Sequence, residues 1–169
     1  MLDFSIELEP HIPALRRFAW AMVRDSQAAD DLVQDCLEKA ISRWHTRRQD
    51  ADARSWLFTI LRNLFLNGVR QQARRGRHLG IEALDDVASP DGGGERVVIA
   101  KDALAALDGL TEEHRALLLL IGVEELSYQQ AADVFGLPIG TIMSRLSRAR
   151  AQLRRAIESD ERVPLRRVK

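Results

Sequence analysis

The sequence predicts an all-α protein made of two small helical domains joined by a flexible linker, with a helix-turn-helix in the C-terminal one. Three observations carry this. Apolar residues form 46% of the 169 positions and aromatics only 5%, and runs of alternating β-branched residues are hard to find, which favours helices over strands. The stretch 76–97, GRHLGIEALDDVASPDGGGERV, breaks the helical pattern with Ser89-Pro90-Asp91 and the triplet Gly92–Gly94. The run 126–155 then reads as two short helices about a tight turn.

Taken in order, Ile12, Leu15, Ala19, Met22 and Val23 line one face of a first helix, which breaks at Asp25–Ser26. A second helix, near 27–44, turns Leu32, Val33, Cys36, Leu37, Ala40, Ile41 and Trp44 inward. A third starts near Asp52–Ser55 and runs to about Arg75, with Leu57, Ile60, Leu61, Leu64 and Gly68 on its core side. Three such helices can bury a modest core of their own. A linker of about 20 residues could stretch across up to roughly 70 Å. Beyond it, a helix near 99–107 precedes another capped by Thr111, where Glu112 and Glu113 suit the helix dipole and Leu117, Leu118, Leu120 and Ile121 form the core side.

In the last segment Ser127 is an N-cap and Gln130 completes a capping box; Gly136 suits a left-handed helix end and Pro138 a first turn. Ile142, Leu146, Ala149 and Leu153 make the buried stripe of the final helix. Ser144, Ser147, Arg148, Ala151 and Arg155 fall on the opposite side, a small, polar and basic face able to approach a DNA groove. A solvated helical hairpin is the alternative. The agreement of cap, turn and stripe, and the lack of acids between Asp133 and Glu158, favour DNA. The domains are then 1–76, a linker 77–98, 99–160 and a tail 161–169.

Net charge is zero, but its distribution is uneven. Residues 1–40 carry −4, 41–80 carry +7, 81–125 carry −8 and 126–169 carry +5. Two basic blocks separated by an acidic one suggest two DNA-contacting surfaces. The longest apolar stretch, 116–123, falls far short of the roughly 20 residues that span a bilayer, and Asp3, Glu7 and Glu9 are unlike a signal peptide. The single cysteine, Cys36, allows no internal disulfide and reads as a buried thiol. A cytoplasmic protein without membrane insertion is expected. His11, His45, His78 and His114 are scattered, and neither a metal motif nor a nucleophile elbow is present, so no catalytic residue, metal or cofactor is expected.

The segments 29–44 (ADDLVQDCLEKAISRW), 54–63 (RSWLFTILRN), 107–115 (LDGLTEEHR) and 126–150 resemble, in order and spacing, the extracytoplasmic-function sigma factors of bacteria. The resemblance implies a dissociable specificity subunit of RNA polymerase without an active site of its own. One domain would take the melted −10 strand and the other the −35 duplex. It implies that Asp31, Gln34, Asp35 and Glu38 dock on the largest subunits of core polymerase. Ser55, Trp56, Thr59, Arg62, Asn63 and Arg70 would form the outward −10 face, with Trp56 either in the core or beside the melted strand. Ser127, Gly140, Thr141, Ser144, Arg145 and Arg148 would meet the −35 element, with Arg148 the main candidate for a base edge. Met143 departs from the family pattern, which commonly has a basic or polar residue there, and Leu64-Phe65-Leu66 is more apolar than usual. An anti-sigma factor is the further partner implied. A sigma-like decoy for such a factor and an ordinary helix-turn-helix regulator are the rival readings.

Overall fold

The computed structural model describes residues 4–48, 50–76 and 102–161, and every regular element among them is a helix. The linker 77–98 and the tail beyond 161 lie outside the described residues. The N-terminal half contains α1 (Phe4–Leu8), α2 (Ile12–Val23), α3 (Ser26–Ser42) and α4 (Ala53–Arg74). The C-terminal half contains α5 (102–108), α6 (Glu112–Gly122), α7 (Tyr128–Phe135) and α8 (Ile139–Glu161).

The boundaries follow local chemistry. Asp25 caps α3 by accepting from the Ala28 amide at 2.7 Å, and Thr111 caps α6 by accepting from the His114 amide at 3.3 Å. Both bonds of the Ser127–Gln130 capping box are formed, at 3.1 and 2.8 Å. Gly136 closes α7 at φ 64°, a left-handed value that costs glycine little. The α3 helix stops at Ser42, two residues short of Trp44, which lies in a separate 3₁₀ turn.

In the N-terminal half α3 packs on α2 and α4. Leu15, Phe18 and Met22 meet Val33, Cys36 and Ala40 and, from α4, Leu57, Phe58 and Leu61. Phe18 and Phe58 touch edge to face at 5.5 Å. In the C-terminal half Ile142 and Leu146 of α8 pack with α6 and α7. The halves do not stay apart: α7 lies against α4 and α6 against α2, so one apolar cluster runs from Leu8 to Leu146.

Three inward assignments differ from the pattern, the first because of that union. The α6 helix sits between α2 and α8, so it buries Ala116 and Leu119 as well as Leu117 and Leu120, while Leu118 and Ile121 are half-buried. An apolar sequence such as ALLLLI, hydrophobic nearly all round, is what a helix with neighbours on two sides requires. Ile41, at the end of α3, is 45% exposed, and Gly68 is exposed because α4 has by then left the core.

Cys36 is fully buried, and burial pushes its thiol up to about 12. The thiolate is the reactive form. At pH 8 the native chain should therefore leave a disulfide reagent unreacted, and denaturant should release one equivalent at once; a colorimetric thiol titration checks this.

Candidate nucleic-acid interface

The last helix, α8, is amphipathic as its pattern requires: Ile142, Leu146 and Ala149 are buried, while Gly140, Ser144, Ser147 and Arg148 are exposed. Arg150, Arg154 and Arg155 extend the basic surface, and no acid interrupts α8 before Glu158. Thr141 is half-buried and its carbonyl accepts from the Ser144 hydroxyl at 3.0 Å. Ser127 is occupied as a cap. Arg145 differs from Arg148. Its guanidinium donates to Glu113 of α6 at 2.7 Å, an acid supplied from outside the acid-free window. One flank of α8 is thus turned toward α6, and the open flank presents Ile139 and Met143, 43% and 51% exposed.

On α4 the expected outward row is divided. Asn63 and Arg70 are exposed, with Arg74 and Arg75 beyond them. Trp56 is half-buried and packs edge to face on Trp44 at 5.9 Å, with Arg47 over the Trp44 ring at 4.5 Å. Thr59 is half-buried and donates its hydroxyl to the Ser55 carbonyl at 2.8 Å. Ser55 and Arg62 are buried rather than outward. The Ser55 hydroxyl donates to Asp52 at 2.6 Å. Arg62 lies 4.1 Å from the ring centre of Phe135 on α7 and 3.8 Å from Glu113, only 9% exposed. The physical reason is the packing of α7 on α4, which periodicity within α4 could not disclose. Burial, opposed by Glu113, pulls the Arg62 guanidinium below its usual value, and its buried Nε has no hydrogen-bond partner.

The acidic row of α3 is open. Asp31, Gln34, Asp35 and Glu38 are all exposed, and Gln27 and Gln34 donate along the helix to Asp31 and Glu38 at 3.0 and 3.1 Å.

Sequence reasoning missed the polar contacts between the halves. Glu124, 2% exposed at the end of α6, receives Nε and Nη2 of Arg17 at 3.2 and 2.8 Å. Arg54 donates to the Glu124 carbonyl and stands 3.6 Å from its carboxylate. Arg115 of α6 donates to the Met22 carbonyl at the end of α2, and Arg24 donates to the Leu104 carbonyl and to Asp108. Gln130 of α7 donates to Asp52 at 2.8 Å. The opposite signs of 41–80 (+7) and 81–125 (−8) correspond to Arg54 with Glu124 and Arg62 with Glu113, but Arg17 and Arg24 come from the net-acidic block 1–40, where block charge gives no signal.

Two family models match the chain, the "Sigma2 domain of PhyR" over residues 8–62 and "Sigma-70, region 4" over residues 100–153. The chain is 35% identical to the extracytoplasmic-function sigma factor EcfG of Rhodopseudomonas palustris over 84% of its own length and 78% of that protein. It is also 35% identical to the sigma factor SigC of Mycobacterium tuberculosis, over 91% of this chain and 85% of that one. Among solved structures it resembles the Bartonella quintana sigma factor RpoE in complex with the anti-sigma factor NepR, with a TM-score of 0.79 and 34% identity over 95% of this chain and 99% of that chain.

Burial alone would raise the Asp52 carboxyl, but hydrogen bonds from the Ser55 hydroxyl and amide, from Gln130 and from the Arg54 amide hold it below its ordinary 3.8. A depressed carboxylate stabilises the fold above its unfolded value, and that contribution is lost as pH falls through the folded one. The urea midpoint of Asp52→Asn should therefore lie below that of the parent at neutral pH, and the two should converge under acid conditions below 3.8. Denaturation followed by circular dichroism across that range measures it.

Proposed function

Because the chain belongs to the extracytoplasmic-function sigma factors of RNA polymerase, we propose a division of labour over its surfaces in promoter-specific initiation. The exposed row Asp31, Gln34, Asp35 and Glu38 docks on a basic surface of the largest subunits of core polymerase. The α8 helix enters the −35 major groove. Arg148 meets a base edge, and Gly140, Thr141 and Ser144 let the backbone approach the phosphates, with Ser127 as the cap that orients the turn. Asn63 offers an amide that both donates and accepts to an unstacked −10 base, and Arg70 holds a phosphate. Trp56 supports that face by packing on Trp44. Ser55 and Thr59 shape the start of α4, and Arg62 braces that helix from within, against Phe135 and Glu113.

The observation that carries this reading is the exposed basic face of α8, centred on Arg148 and free of acids. RNA synthesis belongs to the polymerase, and this chain contributes selection only. Among the described residues no helix is long and apolar enough to cross a membrane, which suits a protein working beside polymerase in the cytoplasm. An anti-sigma factor controls it, as NepR stands in complex with the Bartonella factor.

The match of residues 8–62 to the PhyR domain favours one second reading, since a solved structure presents PhyR as an anti-anti-sigma factor. Such a decoy would bind an anti-sigma protein and not core polymerase. Run-off transcription with purified core polymerase separates the two. The parent chain should start transcripts from a cognate promoter. Arg148→Ala should lower −35-dependent output by roughly five- to one-hundred-fold, the range of one lost base contact, while core binding is kept. Failure of the parent to bind core or to initiate would overturn the assignment.

A further inference from the structure

We propose that Met143 is a specificity-determining residue of α8: its side chain contacts the 5-methyl group of a thymine in the −35 duplex, so that this chain selects a T·A pair near the base read by Arg148. This rests on the reading of α8 as the −35 helix.

The starting point is an apolar strip set in a basic face. Met143 is 51% exposed, and Ile139, one turn before it, is 43% exposed. Of the large apolar side chains exposed among the described residues, these two are the pair that stands one turn apart on a single helix. Arg150 and Arg154 continue the same flank and are exposed too, with no acid on α8 before Glu158. Such a setting favours a polyanion as the partner. A thioether has no proton to donate, so Met143 cannot serve the phosphates of that partner. Its apolar surface needs an apolar group to cover it.

The major groove offers one such group. Base edges there present hydrogen-bond donors and acceptors and, on thymine alone, a methyl. Arg148 complements the polar features, and Met143 complements only the methyl. The helix geometry lets both act in one groove. Five residues separate them, about 140° around the helix and about 7.5 Å along it. Gly140, Ser144 and Ser147 occupy the arc between them and are exposed, so nothing bulky keeps the helix from seating deeply. The two longer side chains then reach either side of the groove floor. Because base pairs stack about every 3.4 Å, they meet different pairs of one site. An unbranched side chain with three rotatable bonds can adjust its reach to a methyl.

Binding by holoenzyme, assembled from the full chain and core polymerase, tests this. The probe is a promoter active in the run-off assay, with its −35 element randomised. The parent should select a T·A pair that Met143→Ala no longer selects, while both keep the base that depends on Arg148. Deoxyuridine then replaces that thymine, which removes one methyl and nothing else. The parent should lose roughly three- to five-fold in affinity, the worth of one buried methyl. Met143→Ala should bind the thymine and deoxyuridine duplexes equally, and Met143→Leu should restore the preference. Damage to the helix would weaken both duplexes and leave their ratio unchanged, so the ratio separates contact from structure. A parent without a Met143-dependent T·A pair, or one that binds the two duplexes equally, overturns the contact and leaves Met143 to a protein partner or to solvent. A ratio in Met143→Ala equal to the parent's overturns it as well. If the parent selects no −35 sequence at all, the −35 reading of α8 falls first and the role of Met143 with it.

Discussion

A carboxylate removed from water, Glu124 between Arg17 and Arg54, is the constraint on which the relation of the two halves depends. Glu124 lies at the C-terminal end of α6, where the helix's own partial charge is negative and a second negative charge is unwelcome. Burying it unpaired would cost several kcal/mol by order of magnitude. The bidentate Arg17 contact and the Arg54 contact to the adjacent carbonyl offset that cost, and both arginines belong to the other half of the chain. Neither half alone can place Glu124 in this environment. The same device recurs in reverse where Arg115 of the C-terminal half reaches the carbonyl end of α2.

From this constraint follows a sorting of the arginines that composition conceals. Arg17, Arg24, Arg54, Arg62, Arg115 and Arg145 are engaged within the protein, each to a carboxylate or a helix-end carbonyl. Arg70, Arg148, Arg150 and Arg154 face solvent. Exposed arginines such as these are available to phosphate. A zero net charge is therefore compatible with a nucleic-acid protein: some acids, such as Glu113 and Glu124, pair with arginines inside the protein, while Asp31, Asp35 and Glu38 stand exposed on α3.

The apolar packing supports the same arrangement. Because α6 is buried against α2 on one side and α8 on another, the helix-turn-helix is mounted on the N-terminal bundle through a hydrophobic contact as well as through ions. An ion pair sets orientation sharply but adds little net free energy once desolvation is counted, whereas apolar burial adds free energy without direction. Together they hold the two halves in one specific geometry.

The helices, their caps and the exposed basic face of α8 were legible in the sequence because they depend on neighbours within one or two turns. Asp25, Thr111, the Ser127–Gln130 box, Gly136 and the Ile142–Leu146–Ala149 stripe all act locally, and 3.6-residue periodicity reports them directly. The same holds for the exposed row Asp31, Gln34, Asp35 and Glu38, whose outward direction is set by α3 alone. Ser55, Arg62 and Arg145 were not legible in this way. Arg62 is covered by Glu113 and Phe135, 51 and 73 positions distant, and Arg145 is held by Glu113 on another helix of the same half. Glu124 is the clearest case: in sequence it is one acid among the eleven of an acidic block, and in space it is the buried partner of Arg17, 107 residues away. Local sequence determined which surfaces the protein builds; tertiary packing decided which are open, because burial is set by what another segment brings against a face.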